Sequence, residues 1–338
     1  MWIEVFMWTN VKCEVGNMGN EEYLLGVAAV AKYLQVHYNT AHKLIANGTL
    51  PATKVGAQWR VRVGDVDGYI QDSATEATVH GELPEIIAIV NQKGGVGKST
   101  LSINLSEALA KLDKKVLLID LDPQSNSSTG IGINAESLAM STITEVLIDN
   151  LALHEAIVQS EFGFDIVPAT IALSEAEMDL IMRISREMVL VNSLRASQDY
   201  LSKYDYIFID CPPSLGLLTI NALAAADSCL VPIAVSKFSL EGVKLLLKTI
   251  SSVRQINKDL AIKKFVITMA DYRTRTTKEF IDTMPTVIQH PFAKTVLRKL
   301  NAVSDAQFES KPIGAYDPTS DAAGQFMDLA KESELEAI

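Results

Sequence analysis

The sequence predicts an α/β protein, with a mainly parallel sheet covered by helices on both faces and a small helical unit in front of it. Two observations predict the sheet. Beyond Glu85, short apolar runs alternate with longer segments of helical periodicity. The runs are apolar at successive positions, as strands buried on both faces must be, and such strands separated by helices form parallel sheets. A third observation locates the working edge. The first run passes through a glycine-rich stretch straight into the first helical segment, and ligands of such sheets bind beyond the strand C-termini.

The elements follow in chain order. An apolar start reaches about Gly19, so residues 1–19 read as an extension, and residues 20–72 read as a compact unit. Residues 73–84 are rich in Ser, Thr, Glu, Gly and Pro without apolar periodicity, which predicts a linker that has no face to bury. Residues 85–338 hold the sheet. Strands are expected at Ile86 to Val90, Val116 to Ile119, Phe164 to Val167, Tyr206 to Ile209, Cys229 to Ile233 and Phe265 to Met269. Helices are expected at Leu101 to Leu112 and Leu240 to Ile256, where apolar residues recur at helical spacing.

The stretch Asn91-Gln92-Lys93-Gly94-Gly95-Val96-Gly97-Lys98-Ser99-Thr100 carries the chemistry. A chain turning through glycines into a helix N-terminus points backbone N–H groups inward and makes an anion site. Lys98 would then reach the β- and γ-phosphates of a nucleotide, and Ser99 would hold Mg²⁺. The strict P-loop pattern fails at its first glycine, where Gln92 stands followed by Lys93.

Composition excludes several classes. With 48% hydrophobic and 21% charged residues the chain can build a full core, so extensive disorder is not expected. The N-terminus lacks a basic region with a long apolar core, and the stretch Leu215 to Val235 is broken by Asn221, Asp227 and Pro232. Neither export nor a membrane span is expected. Cys13, Cys211 and Cys229 fit no disulfide framework, zinc site or iron–sulfur set, which makes a reducing cytoplasm the simplest setting. The net charge is −11, yet Lys244 to Lys299 holds 12 Lys and Arg against four acids. Such a local basic field is compatible with DNA contact.

The string Lys93-Gly94-Gly95-Val96-Gly97-Lys98-Ser99-Thr100 resembles the deviant Walker A of the ParA/MinD/nitrogenase iron-protein class of P-loop NTPases. The resemblance implies ATP and Mg²⁺ as ligands, bound by Lys93 through Thr100. It also implies that Lys93 crosses a dimer interface to the partner's nucleotide, so that catalysis needs two subunits. Asp120-Leu121-Asp122-Pro123-Gln124 is similar to the family's strand-end motif, with Asp122 positioning water and Asp120 supporting the Mg²⁺ shell. Ser125 to Gly130 resembles the first switch, with Ser125 where a glycine is usual. Tyr206 to Asp210 followed by Cys211-Pro212-Pro213 resembles a Walker B and second switch, which places Asp210 near Mg²⁺. Val231-Pro232-Ile233, Leu240-Glu241-Gly242 and Lys311-Pro312-Ile313 are similar to the ParA branch in particular. In that branch the segment Thr268 to Thr274 implies non-specific DNA binding by Arg273, with Arg275 and Lys278 beside it. The family's Pro-Arg-Asn stretch near adenine is replaced by Arg298-Lys299-Leu300.

Ahead of the linker, the order of helix, turn, helix, hairpin and helix resembles the MerR/excisionase type of winged helix-turn-helix. The resemblance makes Asn39 to Ala46 the recognition helix, with Asn39, Thr40 and Lys43 toward DNA and Lys54, Arg60 and Arg62 on the wing. Five basic and five acidic residues balance between Glu21 and Asp72, so non-specific binding by this unit should be weak.

These features predict a cytoplasmic, nucleoid-associated ATPase that dimerises with ATP and binds DNA non-specifically, and whose partner is a ParB-like or cargo-adaptor protein that stimulates hydrolysis. The alternative is a transcriptional regulator that reads an operator through the N-terminal unit, with nucleotide as modulator. A membrane-cycling ATPase would need a basic amphipathic C-terminal helix, whereas Met327 to Glu336 is acidic.

Overall fold

The computed structural model describes residues 24–33, 42, 44–46, 49–56, 58–66, 83–236 and 239–335. The chain divides into two compact units, Met1–Gly81 and Glu82–Ile338. The division falls inside the stretch expected to be a linker, most of which lies outside the described residues.

In the first unit, β1 (Leu24–Leu25), β2 (Thr53–Val55) and β3 (Gln58–Arg62) form an antiparallel sheet in the order β1-β3-β2. The helix α1 (Val27–Tyr33) buries Val27, Val30 and Ala31 in a small core with Ile45, Leu50, Val61 and Val66. The expected hairpin is therefore present, and all three residues of β2 are exposed. Lys54 places its ammonium 5.6 Å from the Trp59 ring centre. Residue 42 and residues 44–46 are helical, but Asn39, Thr40 and Lys43 of the expected recognition helix lie outside the described residues.

The second unit is a seven-stranded sheet. Its strands are β4 (Glu85–Ile89), β5 (Val116–Asp120), β6 (Val158–Gln159), β7 (Asp165–Val167), β8 (Tyr206–Asp210), β9 (Ser228–Ala234) and β10 (Ala261–Thr268). They lie in the order β10-β9-β4-β8-β5-β7-β6. All pairings are parallel except β6 with β7. The six expected strands are present, and β6 is an addition at the edge. Two residues carry no detectable period, so nothing in the chain pattern marks it.

Alternate residues of each strand enter two cores. Ala88, Ile119, Ile207 and Val231 pack on one face, and Ile87, Leu118, Phe208 and Leu230 on the other. Each fully buried aliphatic side chain contributes roughly 1.5–3 kcal/mol, so the central strands form a rigid platform. The helix α2 (Lys98–Ala110) follows β4 and packs on the second face with α3 (Asp321–Leu335), which buries Phe326, Leu329 and Ala330 there. The acidic C-terminal segment is thus a core helix. No described helix is long and apolar enough to cross a membrane.

Register fixes the working edge. Asp210 at the end of β8 is level with Ile89 of β4 on one side and Asp120 of β5 on the other. The glycine-rich loop leaves β4 one residue later.

Candidate functional site

The loop between β4 and α2 is held by its neighbours before any ligand is considered. The Asn91 side chain donates to the Pro232 carbonyl (2.7 Å) and accepts from the Lys93 N–H (2.9 Å). At the far end the Thr268 hydroxyl donates to the Val96 carbonyl (2.8 Å). Strands β9 and β10, which lie on the same side of β4, therefore clamp the loop. Gly97, the residue before α2, sits at φ 88°, a left-handed conformation that a side chain would strain. The helix opens with unsatisfied N–H groups facing the same edge.

An open cleft of about 570 Å³ lies above this loop, lined by Gly94, Gly97, Lys98, Ser99, Asp122 and Pro213 among others. A smaller, more apolar recess of about 130 Å³ adjoins it and shares Gly97, Thr100, Met269 and Gln307. Leu297, Leu300, Val303 and Phe326 line the recess, and Arg298 and Lys299 belong to its wall. A polar cleft beside an apolar recess suits a phosphate chain attached to a flat ring. The segment that replaces the family's Pro-Arg-Asn stretch is part of that recess.

Four charged groups define the floor. Lys98 is buried, and burial lowers its pKa, opposed by Asp210, Cys211 and Asp122. Asp122 is buried beside it and accepts the Gln124 N–H at 2.9 Å. Its pKa is raised by burial and held back by that N–H and by Lys98. Asp120 and Asp210 are fully buried. Both are pushed upward, mainly by burial, and for Asp120 next by the charge of Asp210.

The two buried carboxylates are used differently. Asp120 accepts the Asp122 N–H (3.2 Å) on one oxygen, and the Ser128 N–H (2.8 Å) and hydroxyl (2.7 Å) on the other. Its oxygens are committed to the short helix α4 (Asn126–Thr129) and the turn leading to it. Asp120, expected to support a Mg²⁺ shell, thus also fixes the switch segment. Asp210 accepts the Ser127 hydroxyl on Oδ2 (2.7 Å), while its buried Oδ1 has no hydrogen bond of good geometry, although the Ser99 hydroxyl lies near enough to the carboxylate to hold its pKa back. An unpartnered buried carboxylate oxygen is costly unless a cation or an ordered water meets it.

No group of three or more His, Cys, Asp or Glu that could cage a metal occurs among the described residues. Mg²⁺ does not need one. It is commonly held by one or two protein oxygens together with substrate phosphates and water, and Ser99 with Asp210 fits that donor set.

Ser125 stands at φ 49°, ψ 34°, in the left-handed region. That is the physical reason a glycine suits this position. Gly130 closes the segment, where a Cβ would lie 2.7 Å from both the Asn126 carbonyl oxygen and Ile103 Cδ1.

The remaining expected residues lie elsewhere. The Lys93 ammonium points to the end of β9, donating to the Ser236 hydroxyl at 2.7 Å. Arg273, Arg275 and Lys278 are exposed where α5 (Arg275–Ile288) begins. Arg273 forms a two-point pair with Asp271 (2.8 and 2.7 Å) and Arg275 pairs with Glu279 (2.6 Å). Asp271 is held down at about 2 by that Arg273 contact. The basic character of this surface is therefore weaker than the count of cations suggests. Arg60 belongs to the first unit, half-buried, with its guanidinium bonded to Gln58 (2.6 Å) and the Trp59 carbonyl (3.2 Å).

Sequence reasoning placed Ser127 and Ser128 in the first switch and Thr268 in a basic segment, but it assigned none of them, nor Ser236, a partner. Each is a hydroxyl with a partner 41 or more residues away, and Ser128 bonds Asp120 as well, so local pattern carried little signal for it.

Comparison with known proteins places this geometry in context. A family model described as an AAA domain matches residues 84–262, and one described as a helix-turn-helix domain matches residues 24–74. The sporulation initiation inhibitor protein Soj of Bacillus subtilis is 43% identical over 250 residues, which is 73% of this chain and 97% of that protein. The chromosome partitioning protein ParA of Myxococcus xanthus is 38% identical over 249 residues, covering 73% of this chain and 87% of that one. Among solved structures, cobyrinic acid a,c-diamide synthase from Mycobacterium smegmatis with bound ADP and magnesium superposes with a TM-score of 0.65 at 31% identity. The match covers 74% of this chain and 93% of that one.

Proposed function

The chain belongs to the Soj/ParA family of P-loop ATPases, and from that premise we propose that it is a partitioning or positioning ATPase whose ATP-bound dimer holds DNA. The observation that carries this reading is the convergence of Lys98, Ser99, Asp122 and Asp210 on one sheet edge beneath a cleft of about 570 Å³.

Each residue then has a physical task. Lys98 and the N–H groups of the loop bind the phosphates of ATP. Ser99 and Asp210 would hold Mg²⁺, which would neutralise charge on the phosphates when bound. Asp122, beside Lys98 in the cleft, orients the attacking water. Lys93 leaves Ser236 and reaches the nucleotide of a second copy, supplying positive charge where negative charge develops. Hydrolysis is slow in one subunit alone for that reason, and a ParB-like or cargo-adaptor partner speeds it by favouring the assembled switches.

Arg273, Arg275 and Lys278 are the proposed contacts for DNA phosphates. Their pairing with Asp271 and Glu279 implies modest affinity per subunit, so useful retention needs two copies acting together. Nucleoid association in the cytoplasm follows from DNA retention.

A second reading is favoured by the helix-turn-helix match and by the exposed hairpin of the first unit, with Lys54 on β2 and Arg62 on β3. In it the same chain recognises an operator and nucleotide modulates the occupancy. DNA retention of the wild type and Lys98→Ala with ADP, ATP and a non-hydrolysable analogue tests the main reading. ATP-dependent retention lost in Lys98→Ala is expected, and wild-type retention indifferent to ATP would reject it. Footprinting upstream of the gene separates the operator reading.

A further inference from the structure

The short helix α4 presents two consecutive serines to two different strand ends. Ser128 bonds Asp120 of β5 and Ser127 bonds Asp210 of β8. We propose that Ser127 is a positioning residue for Asp210, setting which carboxylate oxygen is available to the Mg²⁺ site. The inference rests on the reading of Asp210 as a Mg²⁺-site residue given above.

Three observations support it. First, the Ser127 hydroxyl donates to Asp210 Oδ2 at 2.7 Å across 83 residues of sequence, and both residues are fully buried. Second, the other oxygen, Oδ1, is buried with no hydrogen bond of good geometry, and the nearby hydroxyl is that of Ser99, itself a proposed Mg²⁺ ligand. One oxygen is thus fixed by protein and the other left for an incoming group. Third, Ser127 lies within the segment whose start is strained at Ser125 and whose end is crowded at Gly130. The helix cannot easily slide to re-aim a different donor at Asp210.

The chemistry makes the hydroxyl hard to replace. Removing Ser127 Oγ leaves a space the size of one oxygen atom, too small for a water with several partners. Asp210 Oδ2 would then have no partner, and the carboxylate would be free to turn. Partners that orient metal-site groups in this way typically change metal affinity by about 10–100-fold when removed. Ser127 also gives the first switch a direct hold on the second motif, so a rearrangement of α4 releases Asp210 at the same moment.

The test is binding of a fluorescent ATP analogue to full-length wild type and Ser127→Ala across a Mg²⁺ titration, repeated in EDTA. The expected result is a Mg²⁺ midpoint raised roughly tenfold in Ser127→Ala, with EDTA affinity unchanged to within about twofold. An unchanged midpoint overturns the proposal. So does an equal loss of affinity with and without Mg²⁺, which would mark Ser127 as a structural support of the loop. If wild-type binding itself ignores Mg²⁺, the assignment of Asp210 fails, and that outcome is distinct from the first two.

Discussion

Mixing two inactive variants gives the sharpest check on the role of Lys93. In Lys93→Ala the loop, Lys98 and Asp122 stay intact, and in Asp122→Ala the ammonium of Lys93 stays intact. If Lys93 acts across the interface, a mixed dimer holds one complete site: Asp122 comes from the Lys93→Ala subunit and Lys93 from the Asp122→Ala subunit. Random pairing of equal amounts makes about half the dimers mixed, each with one of two sites working, so hydrolysis should recover to about a quarter of wild type. The resting contact does not forbid the movement this needs. A hydrogen bond from a charged donor, like that of Lys93 to Ser236 at 2.7 Å, is worth about 1.5–3 kcal/mol. A cation supplied across an interface to a transferring phosphoryl group accelerates reaction about 10³–10⁵-fold, or about 4–7 kcal/mol. The transition-state gain therefore exceeds the cost of breaking the resting contact, so the net barrier falls once a second subunit is present. Phosphate release is measured for each variant and for the mixture, with particle size followed in parallel. If Lys93 acts within its own subunit, neither site of a mixed dimer is complete and no activity returns. A mixture that forms dimers with ATP but hydrolyses no faster than its components would refute the cross-subunit role.

Two further outcomes are expected. Gly130→Ala should destabilise the second unit by about 1–3 kcal/mol in urea unfolding, because the added Cβ meets a backbone oxygen at 2.7 Å that cannot swing aside; a neutral or stabilised variant would show that the switch segment yields freely. Glu332 accepts from Lys264 (2.6 Å) and from the Lys294 and Thr295 N–H groups (2.9 and 3.1 Å), and although burial raises its pKa, these donors outweigh it and the net shift is downward. The stability it contributes is present above its unfolded pKa of about 4.3 and lost as pH falls through the lower folded value. Glu332→Gln should accordingly be less stable than wild type at neutral pH, and the gap should close in acid. A gap that is constant with pH would exclude an ionic contribution.

Much of the second unit was legible because its strands are buried on both faces. Runs such as Tyr206 to Ile209 are apolar at every position, and that pattern survives whatever packs on it. The exception, β6, gains its strand character only by pairing with β7. The phosphate-binding loop was legible for another reason, since its conformation depends on local glycines such as Gly97 at φ 88°. The strand-end carboxylates were legible as a set but not as individuals. Asp120 and Asp210 both follow apolar strands, and nothing in the sequence separates the one with both oxygens bonded from the one with an oxygen left over. The cations after Thr268 were legible as a cluster but not as pairs: Arg273 and Arg275 each have a carboxylate two or four residues away. Their spacing was visible, but the pairing depends on a turn and a helix start that spacing alone does not define.

The sequence by itself determined the order of strands and helices, the place where phosphate binds, and the two lysines that frame it. Those properties arise from backbone sterics and from the period of apolar residues, which act over a few neighbours. Only the tertiary structure decided what each buried polar group is for. Register set Asp120 beside Asp210, and α4 then bonded a different serine to each. A hydroxyl and a carboxylate 83 residues apart leave no mark on each other's local sequence, and in a buried site the loss of either would leave its partner without a bond.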